Sequence, residues 1–373
     1  MSKAAELANL IGNINAGGGG ANKNVIINGA MNVAQRGTSS TGLGADSDDG
    51  KYPTVDRFQI SPGNTSGRFT MTQDSSAPSG FANSTKLACT TADTSIASNE
   101  ILVFKQKIEG QNLQAFAKGT SDAKPFAVSF YVKGNASATY VCELMDYDNS
   151  NRHVNKSFTV TTDWTRVELS FPPDTTGALD DDNAHSFDLN IWLHSGSDRT
   201  SGSLQTTWGA LNQANRAVGI SSFFDSTDRT FFITGVQLEV GQNPTSFEHI
   251  SNFGEELARC QRYFQQWTQE ASGFSTNNYA AVADSVMHGD TFAFMQYTHP
   301  VQLRATPALT FNGNFVSNNS GADRALSSLQ INTNTPYVTS FYGTIPDNNE
   351  VGQAGFMRAN NDGDASIFFD SEL

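Results

Sequence analysis

Apolar residues along most of this chain recur at every second position, in short runs broken by Gly, Asn, Asp, Ser and Pro. That period places alternate side chains on one face of a pleated strand, and the breaks supply turns. Strands are predicted over 25–27, 56–60, 68–73, 85–90, 101–104, 125–132, 139–144, 164–171, 187–193 and 230–240. Their spacing suits two packed sheets, so residues 21–250 are read as one jelly-roll β-sandwich. Residues 195–215, rich in Gly, Ser and Thr and including Trp208, are expected to be a surface loop. Further runs at 279–282, 290–297, 308–311, 337–342, 354–359 and 366–371 predict a smaller C-terminal β domain over 268–373.

Helical spacing appears at two places. Ser2 can cap a helix to Asn15 whose Leu7, Leu10, Ile11 and Ile14 share a side, and Gly17–Gly20 then break it. So short a helix is marginal alone, and residues 1–20 are read as an anchoring helix with a glycine linker. Residues 251–267 are read as a connecting helix, with Glu255 and Glu256 at its start and Arg259 and Arg262 later, suiting the helix dipole. The fold class is therefore all-β, with one terminal and one connecting helix.

Composition narrows the function. Charged residues are only 16% of the chain, and Ser, Thr, Asn and Gly carry the polar surface, as turn-rich β proteins require. A net charge of −14 argues against nucleic acid, whose phosphates need a basic surface. Cys89, Cys142 and Cys260 are odd in number and far apart, and read as reduced, buried residues and not as a zinc site. No run of eighteen apolar residues predicts membrane insertion, and no basic-then-apolar start predicts a signal peptide.

Two phrases stand out. Asn28-Gly29-Ala30-Met31-Asn32-Val33-Ala34-Gln35-Arg36-Gly37 is followed by Val55-Asp56-Arg57-Phe58, and two hundred residues later comes Gln237-Leu238-Glu239-Val240-Gly241-Gln242-Asn243-Pro244-Thr245-Ser246-Phe247-Glu248. Glu255–Phe264 and the segment Pro300-Val301-Gln302-Leu303-Arg304-Ala305-Thr306-Pro307 complete the set. Together they resemble a jelly-roll module of bacteriophage tail-fibre and other virion-surface proteins, often of marine phages. The strand order is also similar to the carbohydrate-binding-module class of jelly rolls. The resemblance implies a virion structural protein, assembled in the host cytoplasm. It implies a tail-fibre or similar appendage subunit that is a homotrimer, joins other virion proteins through its N-terminal segment and adsorbs to host-surface glycan. A capsid decoration, cement or head-fibre protein stabilising the shell is the alternative, and a tail adaptor a third reading. Arg36, Arg57 and Arg68 resemble family positions and are expected to anchor carboxylates.

Catalytic signatures are missing: no nucleophile elbow, phosphate-binding loop, zinc helix or dinucleotide fingerprint is found. No β-helical repeat of the kind that carries phage depolymerases is present either. The chain is therefore expected not to be an enzyme and to need no cofactor. Asp146–Asn151 and Asp180–Asn183 offer oxygens for a structural calcium, but the first lacks the Gly and Glu of an EF-hand loop. Solvated turns are the preferred reading of both. Sugar binding needs exposed aromatics with polar groups beside them. Tyr147 with Asp148, Asn149 and Asn151, and Trp208 on the following loop, form the candidate ligand site; Trp267 and Tyr279 are further loop-side aromatics, while Trp164 and Trp192 are expected in the core.

Overall fold

The computed structural model describes residues 23–250, 252–268, 280–319, 321–346 and 351–373, in two compact units divided between Glu256 and Leu257. The expected helix at Ser2–Asn15, its glycine linker and Tyr279 lie outside the described residues. The first unit contains β1 (Ser39–Leu43), β2 (Gln59–Gly63), β3 (Arg68–Asp74), β4 (Ser84–Thr91), β5 (Ile101–Glu109), β6 (Phe126–Gly134), β7 (Ala138–Asp146), β8 (Arg152–Val160), β9 (Thr165–Phe171), β10 (His185–Ser195) and β11 (Thr230–Val240). A six-stranded sheet runs β1-β3-β4-β11-β6-β9 and a five-stranded sheet runs β2-β5-β10-β7-β8, all pairs antiparallel. The chain crosses repeatedly between the sheets, as a jelly-roll sandwich does.

Alternation builds the core. Phe126, Val128, Phe130 and Val132 of β6 face Phe187, Leu189, Ile191 and Leu193 of β10 across the sandwich, in one apolar cluster. Each such side chain contributes roughly 1.5–3 kcal/mol on burial. Phe126 stacks between Phe116, 4.2 Å away, and Phe187, 5.6 Å away.

Several expectations are corrected. Residues 25–27 are not a strand: Asn24 fastens them through its side chain to Val236 and Leu238, and Ile26 enters the core from a coil. The connecting helix stops at Gln261, so α2 is Phe253–Gln261, after a short α1 at Ser197–Thr200. Residues 264–268 are instead a strand, β12 (Phe264–Thr268), because all five pair in antiparallel register with Ser366–Asp370. Strands β1 and β8 went unpredicted. Trp164 is half-buried beside Phe232 and Lys133 and stands outside the core cluster.

The second unit, also all-β, adds β13 (Ala281–Met287), β14 (Phe292–Thr298), β15 (Ala308–Asn312), β16 (Phe315–Asn319), β17 (Ala322–Ala325), β18 (Ser328–Asn334), β19 (Val338–Thr344), β20 (Ala354–Ala359) and β21 (Ser366–Asp370). A sheet β12-β21-β15 packs on a seven-stranded sheet β17-β16-β20-β13-β14-β19-β18 through Met287, Met295, Phe341, Met357, Ile367 and Phe369. Strands β16, β17 and β18 were missed: all three are rich in polar residues, although β16 is mostly buried while β17 and β18 expose much of their length.

Candidate functional site

The Asn28–Gly37 and Gln237–Glu248 phrases meet in space, and they build the frame. Asn28 adopts a left-handed φ of 60° and bonds Val33 at both ends, its amide donating to the Val33 carbonyl at 2.8 Å and its Oδ1 accepting from Val33 N–H at 2.9 Å. Gly29 lies against β11, where a Cβ would fall 2.1 Å from the Val236 carbonyl oxygen. Glu239 accepts from Gln237 and from the Thr245 amide and hydroxyl, while Gln237 accepts from the Glu248 amide. These residues tie the chain's entry to the last strand and leave no free chemistry. Arg68 donates to the carbonyls of Gly44, Thr65 and Gly67, and Arg57 to that of Lys107. For Arg68 these carbonyls stand where carboxylates were expected, whereas the charges of Arg36 and Arg57 both act on the buried Asp56 carboxylate.

The outward face of the five-stranded sheet is different. Side chains opposite the core on β5, β7, β8 and β10 place Val103, Lys105, Glu143, Tyr147, His153, Asn155, Asp188, Asn190 and Trp192 on one surface. The segment 196–217 forms a wall beside it. Far from a loose loop, this segment is fastened by His153 N–H to the Gly209 carbonyl (3.0 Å), Asn155 N–H to the Gln205 carbonyl (2.7 Å) and Ala217 N–H to the Arg199 carbonyl (2.9 Å).

At the junction Glu143 is fully buried and ringed by donors. Arg216 grips it through Nε at 2.8 Å and Nη2 at 2.7 Å, Asn190 Nδ2 lies at 2.9 Å, Trp192 Nε1 at 3.1 Å and Asn155 Nδ2 at 3.2 Å. Burial works to raise its pKa, but the charge and hydrogen bonds of Arg216 and His153 outweigh it and hold the carboxyl well below the usual range. The Arg216 guanidinium also covers the Trp192 ring at 4.7 Å. Trp192 is thus buried as expected, but on the outer face, packed with Val103, Val141 and Ala217.

Beside this network lies a cleft of about 120 Å³ lined by Ser61, Ile101, Val103, Lys105, Tyr147, Asn190, Trp192, Arg199 and Arg216. Tyr147 remains 37% exposed and packs at a tilt against His185, with centroids 4.2 Å apart. Asn190 donates to Glu143, while its Oδ1 is buried with no hydrogen-bond donor. The cleft therefore offers an aromatic face, a free acceptor and cationic donors, the groups that hold a polar ring compound.

Of the residues expected to bind ligand, Tyr147 alone lines this cleft. Asp148 accepts from Asp180 N–H, and Asn149 binds Asp146 and the Ala178 carbonyl, so both close turns. Asn151 sits at a left-handed φ of 58° in the β7–β8 hairpin. Trp208 is half-buried, donates to the Pro172 carbonyl at 2.8 Å and packs on Phe126 and Phe187. Trp267 packs against the second unit's core.

The calcium and solvated-turn readings of Asp146 both give way to an internal cation. Lys118, fully buried, pairs with Asp146 and lies 3.2 Å from Asp174, and it donates to the carbonyls of Thr176 and Gly177. Burial nevertheless raises the Asp146 pKa, against the pull of Lys118 and Asn149. Among the described residues, no group of three or more His, Cys, Asp or Glu is placed to hold a metal ion.

Sequence reasoning overlooked Lys105, Glu143, Asn190, Arg199 and Arg216. The signal for two of them was present: Glu143 and Asn190, together with Asp188, alternate with core residues in β7 and β10, which marks an outward polar row in the middle of a sheet.

No family model and no curated protein matches the chain. Among solved structures, a CBM4 module is similar at 9% identity over 57% of this chain and 97% of that one, with a TM-score of 0.30. The family 11 carbohydrate-binding module from Clostridium thermocellum, in complex with a β-1,3-1,4-mixed-linked tetrasaccharide, is 12% identical over 57% of this chain and 99% of that one, with a TM-score of 0.28. The enzymatically active domain of bacteriophage CBA120 tailspike protein 4 is 13% identical over 58% of this chain, with a TM-score of 0.30, and this chain spans 21% of its length. Likeness at these values is slight, and the fold assignment rests on the strand pairing itself.

Proposed function

We propose that the first unit is a non-catalytic glycan-binding module on a virion appendage, with the cleft on the five-stranded sheet as its binding site. The observation that carries the glycan reading is the pairing of half-exposed Tyr147 with the unmatched Oδ1 of Asn190 in one cleft. A sugar presents a C–H face for the ring and hydroxyls for the amide. Its carboxylates suit binding better than hydrolysis. Glycosidases need an acid with a raised pKa, whereas Glu143 is held low and saturated with donors. The sequence resemblance supports the setting: a tail-fibre or similar subunit acting as a homotrimer in the particle.

Glycan-array screening of the full chain, followed by calorimetry with Tyr147→Ala, tests the binding site. A bound glycan whose affinity falls at least about tenfold in the variant is expected; binding that ignores the substitution rejects the cleft. Cryo-electron microscopy of the particle tests the setting. Trimers projecting from the tail are expected, and copies spread over the capsid lattice would replace this reading with a decoration protein.

A further inference from the structure

The cleft is electrically unbalanced. Lys105, Arg199 and Arg216 line it, in a chain whose net charge is −14. Two carboxylates answer these three cations. Arg216 is committed to Glu143 through Nε and Nη2, and Lys105 Nζ lies 3.8 Å from Asp188. Arg199 has neither: among the described residues no carboxylate stands within ion-pair distance, although the neighbouring Asp198 acts on it through its charge, and its Nε is buried with no acceptor. One positive charge is left over, in a partly desolvated place where an unmatched donor costs free energy.

Resting on the glycan-binding reading above, we propose that the sugar is acidic: a uronate whose carboxylate is held by Arg199 while Asn190 Oδ1 accepts a hydroxyl proton. The planar guanidinium edge presents parallel N–H donors at the spacing of a carboxylate's oxygens. Asn190 cannot turn its amide to satisfy itself, because Nδ2 is committed to Glu143 at 2.9 Å and the acceptor stays free. The environment of Arg199 agrees, since burial and then the charge of Arg216 lower its pKa. A bound anion offsets the repulsion from Arg216.

Affinity electrophoresis and calorimetry of the full chain at fixed low salt, with polygalacturonate, a neutral galactan and dextran sulfate, test this. Uronate should bind at least about tenfold tighter than galactan, and Arg199→Gln should abolish the preference while leaving thermal unfolding unchanged. Arg199→Lys should lose most of it too, because it keeps the charge and loses the fork. Equal affinity for uronate and galactan overturns the proposal and leaves glycan binding standing. So does a preference that survives Arg199→Gln. Dextran sulfate bound as tightly as uronate, with Arg199→Lys unaffected, would reassign the effect to bulk positive potential. Binding of none of the three polymers, together with a blank glycan array, would sink the parent reading as well.

Discussion

Arg216 holds Glu143 through two parallel hydrogen bonds of 2.8 and 2.7 Å, joining the wall segment to the middle of the five-stranded sheet across 73 residues of chain. A buried pair of this kind costs desolvation on both sides, so its removal as a unit is far milder than breaking it. Glu143→Ala leaves a buried guanidinium without its counter-charge and should cost about 3–5 kcal/mol. Arg216→Met should cost about as much, since it strands the carboxylate. The double variant Glu143→Leu with Arg216→Met should recover most of that stability. Urea midpoints of the full chain check this, and additive losses in the double variant would show that the pair does not act as a unit.

Lys118 supplies internally the positive charge that the acidic loop at Asp146 needs. Its ammonium meets two carboxylates and two carbonyls, and Trp208 covers it with a ring centroid 5.5 Å away. Lys118→Met should destabilise by about 3–5 kcal/mol, because it strands buried carboxylates. Thermal unfolding of the natural protein should be indifferent to EDTA and to added calcium. A melting temperature that falls on chelation would mean that metal, and not Lys118, neutralises Asp146.

Much of the fold was legible because core strands alternate cleanly: β6 and β10 show their buried faces residue by residue. Strand β8 hid because Lys156 interrupts its apolar face between Val154 and Phe158, and β1 and β18 are edge strands exposed along much of their length. The helix at 253–261 was overextended since Phe264 continues the helical spacing by coincidence, while its cross-strand partner Asp370 lies over a hundred residues away. The candidate site was legible only at Tyr147. The rest depends on Arg199 and Arg216 reaching a row of polar residues on β5, β7 and β10, and no local pattern announces such a meeting. Trp208 misled for the same reason: a Gly/Ser-rich neighbourhood suggests solvent, yet the indole folds under onto Phe126 and Phe187.

Gly29 gives the Asn28–Gly37 phrase a physical cause that can be measured. Any Cβ there meets the Val236 carbonyl oxygen at 2.1 Å, backbone against backbone, with no flexible side chain to yield. Gly29→Ala must therefore part the entry segment from β11, which also carries the Val236 N–H bond to the Gly29 carbonyl at 2.9 Å. A loss of more than about 3 kcal/mol is expected, in the range of severe overpacking. Gly289→Ala, where a Cβ meets nothing within 4 Å, is the control and should change stability by less than about 1 kcal/mol. Equal effects of the two substitutions in denaturant titrations would remove the steric account of the phrase.

His299 makes the second unit acid-sensitive. Its ring lies between Gln265 Oε1, 3.2 Å from Nδ1, and the Thr339 hydroxyl, 3.0 Å from Nε2, so β12 and β19 both contact it. Burial pushes its pKa down to about 4 from an ordinary 6.5. A folded pKa below the unfolded one means that the unfolded chain takes the proton first. The contribution is whole above pH 6.5, shrinks as the pH falls toward 4, and changes little below that. Hydrogen exchange in β12, β19 and β21, corrected for intrinsic rates, should accelerate between pH 7 and pH 4.5. His299→Gln removes the titration while keeping a polar side chain in place, and it should flatten that dependence selectively in the second unit. Exchange that accelerates equally in the variant would assign the acid response to carboxylates elsewhere.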